Sequence, residues 1–272
     1  MDVRLRRLVG VSAALTGILM VLGVYTAASG AGLTCAGRWP LCDGFLGLFP
    51  ANWSSFIEWF HRFVAMITGF VVLGTTILAW RRGADRRIRL ALAGSTVLLP
   101  SQIILGALTV TTYQWVVLLA HFGTASIIFS GVALAAALAY APFAQSRQAL
   151  GVAGVLLPVL LLLAPHTFLT FGPPVQAAYY FLGLSAYAAL LAAAVWATPD
   201  RSAGVRRVRR LSATAGLVVV SLLVVGRLVY GGTLQYVSIG GSLLALALVA
   251  TAWLTARRGG VGSDARGVPG GD

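Results

Sequence analysis

The chain has 272 residues, 58% hydrophobic and 10% charged, where soluble domains carry about 25% charge, so a soluble globular enzyme is excluded. Basic residues outnumber acidic ones by 20 to 7, yet they are spread through the chain instead of gathered on one domain, which excludes a nucleic-acid-binding module. All twenty are arginines, and most lie between apolar segments, where positive charge sets membrane orientation.

The segmentation predicts an all-α integral membrane protein of eight transmembrane helices. After Arg4, Arg6 and Arg7 an apolar run continues to about Ala28. Its roughly 20 residues exceed the apolar region of a signal peptide, about 7–15 residues, so it reads as a retained helix. A cleaved signal is the alternative, because Ala27-Ala28-Ser29-Gly30-Ala31-Gly32 would suit a peptidase. Seven further segments, each near the ~20 residues a bilayer demands, cover 55–80, 90–112, 115–140, 149–170, 175–198, 211–231 and 235–256. The Gly-rich polar tail 259–272 predicts disorder.

Seventeen of the twenty arginines fall at one side of this arrangement, including the clusters 81–89 and 201–210, Arg147, and Arg257, Arg258 and Arg266. The opposite connections hold only Arg38. The positive-inside rule then predicts a multi-pass cell-membrane protein with both termini cytoplasmic and the loop carrying Cys35 and Cys42 on the outer face. The aromatics agree, with Trp80, Trp196 and Trp253 marking cytoplasmic helix ends. Trp53, Tyr113, Trp115, Tyr179, Tyr180 and Tyr236 mark outer ones.

The two halves look related. At an offset of 121 residues, Trp59-Phe60 falls on Tyr180-Phe181 and Tyr113-Gln114-Trp115-Val116 falls on Leu234-Gln235-Tyr236-Val237. This predicts two pseudo-repeated four-helix bundles, 1–145 and 146–258, with the tail beyond them.

The chemistry concentrates in Glu58-Trp59-Phe60-His61-Arg62. Glu58 is the only glutamate, His61 one of three histidines, and ionisable groups at membrane depth default to function. His61 lies about six residues inside the outer end of the second helix, and His121 lies six residues after Trp115 in the fourth. Both then sit roughly 9 Å below the outer boundary. Two imidazoles at equal depth on two helices of one bundle fit the axial ligation of a haem iron between them. The plainer reading is that each bonds a neighbouring helix. A zinc site fits less well, since only Glu58 is within reach as a further ligand.

Glu58, His61 and Arg62 share one helix face. Glu58 reads either as the partner of Arg62 or as a proton acceptor beside a substrate. Arg62 reads as that partner or as the contact of an anionic group such as a porphyrin propionate. Cys35 and Cys42, with six residues between them, can pair only with each other and only in an oxidising compartment. Such a pair is structural or redox-active. His166 and Gln102 read as interhelical hydrogen-bonding groups. Arg227, assigned to the seventh helix, reads as the partner of an anionic ligand or lipid head group.

The run Thr34-Cys35-Ala36-Gly37-Arg38-Trp39-Pro40-Leu41-Cys42-Asp43-Gly44, then Ile57-Glu58-Trp59-Phe60-His61-Arg62, resembles the haem A synthases. So does Gln102-Ile103-Ile104-Leu105-Gly106-Ala107-Leu108-Thr109-Val110, followed by His121. The motifs cover about residues 25 to 125. The resemblance implies eight helices in two bundles and an oxidoreductase that converts the C8 methyl of haem O to a formyl group, giving haem A for terminal oxidases. It implies that His61 and His121 ligate the substrate haem, that Glu58 is catalytic, and that Cys35 and Cys42 form an outer-loop disulfide. It also implies an electron donor, not identified by the sequence, with haem O synthase and terminal oxidase assembly factors as partners.

The second half departs from the family pattern of a further histidine pair for haem b. His61 falls on Leu182, His121 falls on Ser242, and no histidine follows His166. No haem b is therefore expected in the C-terminal bundle. That loss motivates the alternative function, a non-catalytic membrane haem-binding or electron-transfer protein.

Overall fold

The computed structural model describes residues 1–112, 114–165, 168–197, 202–227 and 233–258. Tyr113, His166, Arg201, Arg266 and the tail 259–272 lie outside the described residues. The described residues are all-helical, with no strand among them. Eight α-helices follow in order: α1 Val3–Ala28, α2 Trp53–Arg81, α3 Arg86–Thr111, α4 Trp115–Tyr140, α5 Ser146–Leu162, α6 Pro173–Trp196, α7 Ala203–Val225 and α8 Thr233–Arg258.

Short polar residues start these helices by accepting from the first orphan amides. Asp2 accepts from Leu5 N at 2.8 Å, Asn52 from Ser55 N at 3.0 Å and Asp85 from Arg87 N at 2.8 Å. Seven of the helices are long and apolar enough to cross a membrane. The expected span 149–170 is shorter than the sequence pattern implied, because α5 ends at Leu162 after 17 residues. At 1.5 Å per residue that is about 26 Å. Leu163 closes the helix by donating to Val159 O and Leu161 O, and Pro165 bars its continuation by restricting Ala164 and lacking an amide.

The first four helices pack in a cycle, α1 on α2, α2 on α3, α3 on α4 and α4 on α1, so that α2 and α4 stand at opposite corners. The last four pack in a second cycle, and α6 lies against both α1 and α4. Hydroxyl and indole groups tie the helices where amphipathicity gives little help. Ser12 Oγ donates to Thr75 Oγ1 at 3.1 Å, Ser95 Oγ to Ile128 O at 3.1 Å, Tyr187 OH to Ser130 Oγ at 2.7 Å and Trp196 Nε1 to Ala137 O at 2.8 Å. Large apolar residues such as Phe70, Val97, Ile127 and Val155 remain exposed around the outside, as an apolar solvent requires.

The arginine-bearing connections share one end of the molecule. Asp2 pairs with Arg82 across 80 residues of sequence, and Arg6 lies 4.1 Å from the Phe143 ring centroid. The loop with Cys35 and Cys42 caps the other end, between α1 and α2.

One expectation about the aromatics is corrected. Tyr179 and Tyr180, expected at an outer interface, are 2% and 0% exposed. Tyr180 packs edge-on against Phe122 of α4 and donates its hydroxyl to Leu223 O at 3.1 Å. The phenol thus has an internal acceptor, which removes its need for the water-facing belt.

Candidate functional site

The head of α2 builds the site. Asn52 fixes where the helix begins, and Trp53, Phe56, Trp59 and Phe63 stack along one side of its first turns. That stack leaves Ser55 and Glu58 facing inward, 0% and 5% exposed.

Above them sits the loop. Cys35 and Cys42 form a disulfide, with both residues fully buried. Cys42 N donates to Gly47 O at 2.8 Å, and Gly44 N donates to Phe49 O at 2.7 Å, so the loop folds back on itself. The Asp43 carboxylate fastens it to α2, accepting from Ser55 Oγ at 2.5 Å and Ala51 N at 2.9 Å. The Ser55 hydroxyl, then the Ala51 amide, hold the Asp43 carboxyl below its ordinary pKa. Cys35, Cys42 and Asp43 offer ligand atoms within 4.8 Å of one another, but the disulfide uses both sulfurs and leaves no thiolate for a metal.

Arg62 joins loop and helix. Its Nε donates to Glu58 Oε1 at 2.8 Å, and its Nη1 donates to Arg38 O at 3.1 Å and Leu41 O at 2.9 Å. The ion pair expected from the i, i+4 spacing is therefore present, with side chains 15% and 7% exposed. Arg62 Nη2 is buried with no acceptor. Glu58 Oε2 faces Gly32, where an added Cβ would stand 4.0 Å from it.

The two histidines approach from opposite corners of the first cycle. His61 is eight residues into α2 and His121 six into α4, roughly 12 and 9 Å from their helix starts. They lie within electrostatic reach of each other, and Arg62 within reach of His61. A glycine stands opposite each ring. An added Cβ on Gly23 of α1 would lie 3.0 Å from His61 Nε2, and one on Gly106 of α3 would lie 3.6 Å from His121 Cε1. His121 Nδ1 is buried and has no hydrogen-bond partner, although a buried ring nitrogen normally finds one. Gln102 Nε2 donates to the His121 backbone carbonyl at 3.4 Å, so Gln102 bonds a neighbouring helix as its sequence position implied. The orphaned imidazole nitrogen fits a ligand-binding role, and the two glycines make room for the histidine rings themselves. A haem with axial imidazoles is a ligand of that kind.

The second cycle is filled at the corresponding level. Ser242, the counterpart of His121, is 2% exposed with its Oγ unpaired, and Leu182, the counterpart of His61, packs against the core. Leu223 lies so close to Gly183, and Leu222 to Gly241, that an added Cβ would come within 2.6 and 2.7 Å of them. Leucine side chains cover these glycines where histidine rings cover Gly23 and Gly106 in the first cycle.

Arg227 is not within the seventh helix as expected, because α7 stops at Val225. Gly226 closes that helix by donating to Leu222 O. Arg227 instead lies just beyond it, half-buried, with its guanidinium carbon 5.9 Å from the Phe122 ring centroid and 5.6 Å from that of Tyr180. Sequence reasoning missed Gly23 and the two loop carbonyls held by Arg62. The i, i+3 and i, i+4 spacing of Glu58, His61 and Arg62 was the signal that found the rest.

Residues 51–171 match the profile of the cytochrome oxidase assembly protein family. The chain is 35% identical over 133 residues to the Heme A synthase of Bacillus licheniformis, covering 48% of this chain and 43% of that protein. To the Heme A synthase of Rhodospirillum centenum it is 32% identical over 139 residues, 46% of this chain and 36% of that protein. A Protoheme IX farnesyltransferase of Halobacterium salinarum is 38% identical over 97 residues, which are 34% of this chain and 20% of that protein. The chain thus spans less than half the length of these relatives. Over residues 51–171 the chain is similar to cytochrome oxidase assembly proteins, and about half of it resembles curated haem A synthases.

Proposed function

We propose that the chain is a haem A synthase that takes haem O as substrate in the N-terminal bundle and oxidises its C8 methyl to a formyl group. The observation that carries this reading is the pair of imidazoles, His61 and His121, on diagonal helices of one bundle, with His121 Nδ1 buried and without a partner. His61 and His121 hold the substrate iron, and the farnesyl tail lies toward the lipid. Two hydroxylations of the methyl carbon, each consuming O2 and two electrons from a donor and releasing water, give a gem-diol, and its loss of water leaves the formyl group.

Glu58 is the catalytic group of this reading. Arg62 holds Oε1 and orients the carboxylate, leaving Oε2 to accept the hydroxyl proton of the gem-diol as it loses water. The spare Arg62 Nη2 addresses a propionate of the porphyrin. The cyclic packing supports two units, 1–145 with the site and 146–258 as a scaffold without haem b. It also supports α5 as an eighth, short span. The clustering of arginines at one end supports cytoplasmic termini and an outer disulfide loop in the cell membrane. Haem O synthase and terminal oxidase assembly factors are the partners that fit this activity.

The alternative is a haem-binding or electron-transfer protein without turnover. Both are tested by extracting haem from aerated cells that express this chain beside a haem O synthase. Haem A accumulates with the native chain, whereas Glu58→Gln keeps bound haem and leaves haem O unconverted. A native chain that binds haem and leaves haem O unchanged fits the alternative and ends the catalytic reading.

A further inference from the structure

We propose that Arg227, delivered by the C-terminal half, is a binding residue for the second propionate of the substrate haem. This inference rests on the haem site proposed above and gives the second bundle a direct part in it.

Outer-end charge provides the first argument. Three arginines belong to the end of the molecule that carries the disulfide loop: Arg38, Arg62 and Arg227. Two acids accompany them. Glu58 pairs with Arg62, and Asp43 is taken up by Ser55 and Ala51 with Arg38 as its nearby charge. Of the other acids, Asp2 and Asp85 begin α1 and α3 at the far end. Asp200 precedes α7 in sequence and lies outside the described residues. Asp264 and Asp272 follow α8 in sequence. Arg227 is therefore a cation without a carboxylate partner among the described residues, at a depth where such a charge is costly.

Its surroundings provide the second argument. The guanidinium is held over two ring faces, Phe122 and Tyr180, an arrangement that positions an arginine while leaving its N–H edge free. Phe122 is the residue after His121, and Tyr180 is anchored through its hydroxyl to Leu223 O. Arg227 thus stands beside the helix turn that carries one proposed ligand of the haem, while the buried, unpartnered Nη2 of Arg62 stands beside the other. A haem brings two carboxylates to this end of the site. Two guanidinium groups with unused donors, one from each half of the chain, match them in number and charge.

The test is a haem titration of the purified full-length chain, followed by absorbance, with iron protoporphyrin IX and with its dimethyl ester. The native chain is expected to bind the free acid at least about tenfold more tightly than the ester. Arg227→Gln weakens the free acid about tenfold and leaves the ester unchanged, and Arg227→Lys keeps most of the preference. Equal weakening of both probes by Arg227→Gln, or no weakening of either, overturns the inference. His61→Ala separates the two levels: if it leaves the bound spectrum of both probes intact, the haem-site reading fails, whatever Arg227→Gln does.

Discussion

Arg62 Nε lies 2.8 Å from Glu58 Oε1 while Arg62 Nη1 holds the carbonyls of Arg38 and Leu41. One guanidinium therefore sets the carboxylate proposed as catalytic and clamps the disulfide loop over it. Arg62→Gln strands a buried carboxylate and releases two carbonyls, at a cost of about 3–5 kcal/mol. Hydrogen exchange should rise in residues 38–47, and thermal unfolding should come several degrees earlier. Exchange that stays as slow as in the native chain would show that the loop does not depend on this clamp.

The glycines opposite the histidines make a sharper prediction. An added Cβ on Gly23 meets His61 Nε2 at 3.0 Å, so Gly23→Leu drives the His61 ring out of its place. The variant should fold, keep its disulfide, and lose haem absorbance. Gly69→Leu serves as the control, because nothing lies within 4 Å of a Cβ there.

The disulfide loop predicts both a cost and a pH window. Replacing Cys35 and Cys42 by serine removes a short closed loop worth about 2–3 kcal/mol. Asp43 is held below its ordinary pKa by Ser55 and Ala51. Its stabilising effect is therefore fully present above the unfolded value of about 3.9 and is lost as pH falls through the lower folded value. Proteolysis in the loop should be flat from neutral pH to about 5 and rise below about 4. Asp43→Asn should remove that pH dependence.

Orientation is open to chemistry. Leu46 is 74% exposed in the disulfide loop and Val3 is 49% exposed at the start of α1. With Cys35 and Cys42 replaced by serine, Leu46→Cys should react with a membrane-impermeant maleimide on intact cells, and Val3→Cys should react only after lysis. The reverse pattern would invert the protein in the membrane.

The helices were legible in the sequence because arginines and aromatics mark many of their ends, as at Trp53–Arg81 and Trp115–Tyr140, although α7 begins at Ala203, eight residues before the expected 211. α5 was overextended because hydropathy alone does not register where Pro165 stops a backbone. The facing of His61 and His121 could be read as matched depth along two helices. Their glycine partners could not, since a glycine opposite a ligand looks like any other glycine in an apolar run. The Arg62 clamp was only half visible. Its carboxylate partner follows from i, i+4 spacing, but its other acceptors are backbone carbonyls, which any residue supplies. Tyr180 was misread for a similar reason: its acceptor, Leu223 O, lies 43 residues away.

The central claim is that one haem sits between His61 and His121, and the absorption spectrum of the purified chain tests it most directly. The native chain should bind one haem per chain with a low-spin, six-coordinate spectrum, and His61→Ala and His121→Ala should each abolish that spectrum. A low-spin spectrum that survives either substitution, or two haems per chain, would contradict it.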